Sequence, residues 1–303
     1  MKFKTNHLEG KIMFTGTYTA LVTPFKDGLI DAPAFRELVR RQVEAGVEGV
    51  LPVGTTGESP TLAEEEHLRV IELAVREADK KVKVLAGTGS NSTKEAIELT
   101  QGAESLGADA ALLVAPYYNK PSQEGLYRHF MRIAESVEMP LVLYSIPSRC
   151  GVAIAEETVA RLARDAQNIV AIKEAGGTVD RVSSLMQVIP EDFAILSGDD
   201  GLTLPFISVG ARGVISVASN IIPEQVKKLV DLALAGKLSE AEREHRRLYP
   251  VFKDLFIETN PVPIKAALAE KGWMNPDVRE PLALLSEAHQ ATLKNTLTEA
   301  GIL

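Results

Sequence analysis

One cysteine, Cys150, is all that a chain of 303 residues carries. An intrachain disulfide is therefore excluded, and a reducing compartment is expected. Excess positive charge is also missing: Lys plus Arg number 33 against 41 Asp plus Glu, a net charge of −8. The basic footprint that nucleic acid demands is absent, although a few placed arginines can still bind a small anionic substrate. No apolar run approaches the length of a membrane span. Met1 to Ile12 are polar and of mixed charge, without the apolar core of a signal peptide, so a cytoplasmic location is expected, with Met13 as an alternative start. The five histidines, His7, His67, His129, His245 and His289, show no metal-ligand spacing. No short repeat or low-complexity tract is present.

What is there is a large core and a regular alternation. Hydrophobic residues make up 45% and charged residues 24%, the balance of a globular protein in one large domain or one plus an appendage. Short apolar runs read as strands at Thr17 to Val22, Gly49 to Val53, Val82 to Ala86, Ala110 to Val114, Leu141 to Ser145, Ile169 to Lys173, Ala194 to Ser197 and Gly213 to Val217. Amphipathic segments separate them. Asp31 reads as the N-cap of a helix with Phe35, Leu38, Val39 and Val43 on one stripe. Thr61 to Glu64 reads as a capping box before a stripe of Leu68, Ile71, Val75 and Ala78, and Ser239 to Glu242 as a second one.

Strands alternating with helices imply parallel βαβ units, and eight of them fit a closed (β/α)8 barrel of about 250 residues. A doubly wound sheet would want a glycine-rich fingerprint after the first strand, where Thr23-Pro24-Phe25 stands instead. The expected organisation is a barrel over residues 1–230 and a helical region over 231–303 packed on it, because so short a helical tail is marginal alone.

In a barrel the chemistry sits at the C-terminal ends of strands. The sixth predicted strand ends in Ile172-Lys173-Glu174, a lysine at the edge of an apolar run. Desolvation there favours the neutral, nucleophilic amine, unless Lys173 lies just past the core and pairs with Glu174 in solvent. The second strand delivers Gly54-Thr55-Thr56-Gly57-Glu58-Ser59, whose hydroxyls and N–H groups suit a small carboxylate or simply satisfy a turn. It is no phosphate-binding P-loop, since no Gly-Lys-Ser/Thr follows. The fourth strand ends in Pro116-Tyr117-Tyr118-Asn119, where at least one tyrosine should face solvent, a partner or the site. The fifth ends in Tyr144-Ser145-Ile146-Pro147-Ser148-Arg149: a phenol that can carry a proton and a guanidinium that can grip a carboxylate or make a structural salt bridge. Cys150 reads as a small buried thiol. After the seventh strand come Asp199 and Asp200, read as N-caps of the next helix; carboxylates there argue against a substrate phosphate.

With Gly54 to Glu58, Tyr144 to Arg149 and Lys173 in view, the chain resembles the dihydrodipicolinate synthase family, among the pyruvate-dependent class I aldolase barrels that include N-acetylneuraminate lyase. The resemblance runs from about Phe14 through Leu-Ser-Gly-Asp-Asp, Gly-Val-Ile-Ser-Val and the late Asn-Pro-Val-Pro-Ile-Lys. It implies that Lys173 forms a Schiff base with pyruvate, whose enamine attacks aspartate 4-semialdehyde. It implies that Tyr144 donates and accepts protons, with Thr55 and Tyr118 completing a hydroxyl relay. The tyrosine matching Tyr118 comes from a neighbouring subunit in the family, so a complete site would need a dimer, and the resemblance implies a homotetramer, a dimer of dimers. Thr56 and the backbone near Ile215 would hold pyruvate, and Arg149 the semialdehyde carboxylate. Neither metal nor organic cofactor is implied. Ser145 stands where the family often has asparagine.

The resemblance also implies feedback inhibition by L-lysine at residues matching Ser59, His67, Asn91, Glu95 and Tyr117, with Glu64 where some sensitive members carry histidine. Two other functions are weighed. A sugar-acid lyase on the same barrel would keep Lys173 and Tyr144 but would not need Arg149. A non-catalytic keto-acid sensor would not need both the amine and the proton relay.

Overall fold

Eight of the apolar runs form strands at almost the expected positions in a computed structural model that describes residues 14–303. The reading of Met1 to Ile12 and the alternative start at Met13 fall outside the described residues. In chain order the strands are β1 (Gly16–Ala20), β2 (Phe25–Lys26), β3 (Leu29–Ile30), β4 (Gly49–Leu51), β5 (Lys83–Gly87), β6 (Ala110–Val114), β7 (Leu141–Ser145), β8 (Ile169–Glu174), β9 (Ala194–Ser197) and β10 (Gly213–Ser216). The pair β2 and β3 is a small antiparallel ribbon that the alternation did not predict. Asp27 and Gly28 turn it, both at positive φ, the backbone a tight two-residue hairpin requires. The other eight are parallel and close in the order β1-β10-β9-β8-β7-β6-β5-β4, the (β/α)8 barrel that was expected.

The two-residue period of a strand decides what the barrel encloses. On β7, Leu141 and Leu143 face outward into the layer shared with the helices, while Val142 and Tyr144 join the interior. On β8, Ile172 packs outward and Ala171 inward, which aims Lys173 inward, two residues on. Phe14, Tyr18, Leu51, Leu85, Leu112, Leu196 and Ile215 fill the remaining interior around small Ala110, Ala171 and Ala194. Where β1 meets β10, a Cβ on Gly213 would lie 1.9 Å from the Gly16 carbonyl oxygen, so only glycine lets that seam close.

Helix Ala32–Ala45 starts as expected, the Asp31 carboxylate accepting from Ala34 N. Two of the predicted caps are corrected. Helix Glu64–Ala78 begins three residues beyond Thr61: Glu66 reaches back to accept from Ala63 N, while the Thr61 hydroxyl donates to the Glu58 carbonyl in the turn before. Its most buried side chains are His67, Val70, Ile71, Leu73, Ala74 and Ala78, with Leu68 and Val75 only partly covered. Helix Leu238–Asp254 includes Ser239 rather than being capped by it. Local hydrogen-bonding potential made Thr61 and Ser239 plausible caps, yet the first helix starts later than a Thr61 cap would give and the second earlier than a Ser239 cap would give.

After β10 the chain is helical through Pro223–Leu234, Leu238–Asp254, Val262–Glu270 and Glu287–Glu299. These helices share one apolar cluster with the barrel: Val22, Leu38 and Val214 pack with Leu248, Phe252, Leu268 and Leu293. No helix of the described residues is long and apolar enough to cross a membrane. Leu248→Ala, deep in that shared cluster, is expected to lower unfolding free energy by about 2–5 kcal/mol, read as a shift of the urea midpoint. An unchanged midpoint would mean that the barrel is indifferent to its C-terminal helices.

Candidate active site

Ladder register places the candidate amine next to the candidate phenol. Tyr144 on β7 pairs with Lys173 on β8, and the Lys173 ammonium lies 4.4 Å from the Tyr144 ring centroid. Both are buried, Lys173 at 6% exposure and Tyr144 at 5%. The solvent-exposed reading of Lys173 is thereby overturned. Glu174, its supposed partner, points the other way and is itself buried, held by Gly176 N at 2.6 Å and by Arg181. Burial pulls the Lys173 amine down to about 7, against the attraction of Asp200 and with the help of the Arg149 charge. Burial likewise pushes the Tyr144 phenol up to about 12, while Arg149 and a hydrogen bond with the Thr55 hydroxyl work against that rise. Gly198 makes the room: a Cβ there would meet Ala175 at 2.7 Å and the Lys173 Cε at 3.2 Å.

Thr55 and Thr56 ride on the turn after β4, half-buried and buried respectively. That turn is held in unusual backbone. Val53 has φ +52 and Glu58 φ +55, and left-handed backbone costs about 1–3 kcal/mol in such residues. Closing bonds run from Gly57 N and Ser59 N to the Gly54 carbonyl and from Glu58 N to the Thr55 carbonyl. Thr56 is met from 204 residues away by Asn260, whose Nδ2 donates to the Thr56 hydroxyl at 3.0 Å.

Arg149 is exposed on the short helix Pro147–Cys150 that leaves β7. It donates to the Asn260 carbonyl at 3.1 Å, and among the described residues no carboxylate lies within ion-pairing distance of it. The alternative of a structural salt bridge falls away, leaving a guanidinium free to pair with an anion. Cys150 is the buried thiol expected, its pKa pushed up to about 11 by burial.

Asp200 departs from its expected N-capping role. Its carboxylate accepts from Ser216 Oγ at 2.5 Å and from Val217 N and Ala218 N at 3.0 Å each, tying the end of β9 to the turn after β10. Burial raises its pKa to about 6. Asp199 does accept from Leu202 N, at 3.2 Å, ahead of helix Thr203–Ser208. Ile215 lies in the barrel interior at 1% exposure, in the same cluster as Tyr144.

Tyr118 is not gathered in. It is 90% exposed, at φ +70, on the loop after β6. The residues considered for lysine form a second group near the ends of β5 and β6. The His67 Nε2 bonds the Gly87 carbonyl at 2.7 Å, burial lowers the His67 pKa, and Glu95 opposes that shift. Glu95 accepts from Ser90 Oγ at 2.7 Å, and Asn91 Nδ2 donates to the Tyr117 carbonyl at 3.3 Å. Tyr117 is half-buried and feels Glu95. Ser59 stands half-buried on the neighbouring turn Ser59–Thr61 and makes no hydrogen bond to the other four.

Two participants escaped the sequence reading. Asn260 appeared only as part of a proline-rich break between helices, yet it joins Arg149 to Thr56, and its buried Oδ1 has no partner among the described residues. Glu58 was one residue of a turn, but its carboxylate meets the fully buried Lys265 at 2.5 Å. The Asn260 to Lys265 run was visible; its contacts, 111 to 207 residues away in sequence, were not.

The arrangement offers a desolvated amine, a phenol and hydroxyl in hydrogen-bond contact, and a free guanidinium beside them. A model of the dihydrodipicolinate synthetase family matches residues 13–300. A 4-hydroxy-tetrahydrodipicolinate synthase of Sulfurihydrogenibium sp. (strain YO3AOP1) is 51% identical over 292 residues, 96% of this chain and 100% of that protein. The solved 4-hydroxy-tetrahydrodipicolinate synthase of Methylacidiphilum fumariolicum SolV aligns at TM-score 0.94 and 56% identity, covering 95% of this chain and 96% of that one. The DHDPS of Cyanidioschyzon merolae, solved with lysine bound, aligns at TM-score 0.93 and 40% identity, covering 96% and 99%.

The depressed amine is directly testable. Reductive methylation with formaldehyde, read residue by residue by mass spectrometry, is expected to reach half its maximal rate at Lys173 near pH 7, because the neutral amine gains population as pH rises through about 7. Exposed lysines should titrate at about 10.4. A Lys173 profile that still climbs above pH 9 would mean that the folded protein keeps this amine charged at neutrality.

Proposed function

The chain belongs to the dihydrodipicolinate synthetase family, and on that premise we propose that it condenses pyruvate with L-aspartate 4-semialdehyde. The product is 4-hydroxy-tetrahydrodipicolinate, and the step is the first committed one of diaminopimelate and lysine biosynthesis. The observation that carries this reading is the buried Lys173 amine, packed on Tyr144, with the unpaired Arg149 at the same strand ends.

The chemistry follows from those groups. Lys173 attacks the pyruvate ketone, and loss of water leaves an imine. A proton leaves the methyl group, and the enamine carbon attacks the semialdehyde aldehyde, whose oxygen takes up a proton. The semialdehyde amine then attacks the imine carbon, closing the ring and releasing Lys173. Tyr144 is proposed to give and take these protons, and Thr55, bonded to it, to pass them on. Thr56 and the backbone at Ile215 are proposed to hold pyruvate. Arg149 is proposed to bind the carboxylate of the second substrate through parallel hydrogen bonds, which favours a semialdehyde over a polyhydroxylated sugar acid.

The 90% exposure of Tyr118 supports a role across an interface. We propose that a second copy of the chain receives it and that the relay is complete only in an oligomer, a homotetramer built from two dimers. A cytoplasmic location fits this biosynthetic reading. The Asn91, Glu95, Tyr117 and His67 group, with Ser59 beside it, offers an acidic side chain for an ammonium and amide and phenol groups for a carboxylate, which supports L-lysine as a regulator.

Incubation with pyruvate and borohydride, with and without semialdehyde, tests the reaction. An adduct on Lys173 is expected by mass spectrometry, and semialdehyde should turn it over. An adduct indifferent to semialdehyde would favour a sugar-acid lyase. Arg149→Ala should lower kcat/KM for the semialdehyde about ten- to a hundredfold, the loss of a contact worth about 1.5–3 kcal/mol, while the pyruvate adduct still forms. Regulation has its own test: L-lysine should inhibit turnover at millimolar concentration or below and Glu95→Ala should relieve it; activity unchanged by lysine excludes this regulator.

A further inference from the structure

Glu58 and Lys265 form an ion pair that the condensation does not use. Their exposures are 2% and 0%, and Lys265 Nζ donates to Glu58 Oε1 at 2.5 Å. The second oxygen, Oε2, accepts from Arg279 N at 2.9 Å. The Lys265 ammonium also lies 4.3 Å from the Phe25 ring centroid, and the Arg279 guanidinium 4.5 Å from the same ring. The Glu58 carboxylate is thus saturated by groups from the last fifty residues of the chain.

Its backbone belongs to the turn that carries Thr55 and Thr56. The Glu58 N–H donates to the Thr55 carbonyl at 3.1 Å, in left-handed backbone at φ +55, and Val53 opens the same segment at φ +52. Unfavourable backbone at both ends persists only where the surroundings impose it. A buried ion pair is a poor general stabiliser, since desolvation offsets its attraction, but its geometry selects one arrangement over its neighbours. A second tie, Asn260 Nδ2 to the Thr56 hydroxyl, reaches the same turn from just before helix Val262–Glu270, the helix that carries Lys265.

We infer that Glu58 and Lys265 are positioning residues for the reaction: through this buried pair helix Val262–Glu270 holds the turn after β4 so that the Thr55 hydroxyl meets Tyr144. The inference rests on the pyruvate chemistry proposed at Lys173. Neither side chain touches substrate, and their effect runs through Thr55.

Three variants of the full-length chain test it: Lys265→Met, Glu58→Gln, and the double variant Glu58→Gln/Lys265→Gln, which replaces the ion pair by a neutral hydrogen-bonded pair. Lys265→Met should lower kcat about a hundredfold, the scale for an ångström of misplacement, with a smaller change in KM for pyruvate. Borohydride should still trap pyruvate on its Lys173, more slowly than in the unaltered protein. Glu58→Gln, which keeps the side chain's shape, should show the same split to a lesser degree and serves in place of Lys265→Met should that protein not fold. The double variant should recover about tenfold in kcat over Lys265→Met or, where that protein does not fold, exceed Glu58→Gln in kcat, because no unpaired charge remains. Folded variants with unaltered kcat and only a lower Tm would overturn the inference, as would a double variant no better than the single one. Failure of the unaltered protein to form any adduct would instead sink the pyruvate reading, and the inference with it.

Discussion

The structure depends on keeping one amine dry. A lysine ammonium surrenders strong hydration when it enters a barrel, so the interior must make the neutral form the better one. The packed layer of Tyr18, Leu51, Leu112, Val142 and Ile215 excludes water from below, and the Tyr144 ring covers one side. Gly198 leaves space where any side chain would press on Lys173. Two charges then compete over the amine: Asp200 favours the ammonium and Arg149 disfavours it, and burial outweighs both. Burial raises the pKa of Asp200 itself, while hydrogen bonds from Ser216 at the end of β10 and from Val217 and Ala218 just beyond it work the other way.

Around that amine the molecule divides labour between rigid strands and constrained turns. Ladder pairing sets Tyr144 against Lys173, within a stretch of continuous register that runs from Val142 and Ala171 to Ser145 and Glu174. Thr55 and Thr56 cannot be placed that way, since they lie beyond the end of β4. Their turn is held from outside, by Asn260 and by the buried Glu58 and Lys265 pair. The helices after β10 therefore do more than cover apolar surface. They share the barrel's core through Leu248 and Leu293 and reach the substrate end through Asn260 and Lys265.

Much of this was legible in the chain. The strand positions followed from β-branched runs, the barrel from their alternation with helices, and Lys173, Tyr144 and Arg149 from standing where strands end. Caps were less legible: Thr61 and Ser239 have the right chemistry for an N-cap, but Glu66 reaches back to the Ala63 N–H instead, and the second helix already begins at Leu238. The ribbon of β2 and β3 was missed because two residues per strand carry no periodicity. Asp200 looked like a helix cap because the sequence showed what followed it, not the turn after β10 lying beside it.

The sequence by itself determined the period of the strands, and with it which residues face the barrel interior. It also determined the stock of chemistry: Lys173, Tyr144 and Arg149 at strand ends, with two threonines in a glycine-bounded turn. These are local properties, set by side-chain type and by spacing of two or four residues. Tertiary structure alone decided the depth at which Lys173 sits, the freedom of Arg149 from any carboxylate among the described residues, and the joining of Asn260 to Thr56 across 204 residues. Desolvation and long-range hydrogen bonds depend on what closure of the barrel brings near, and no local pattern encodes that neighbourhood.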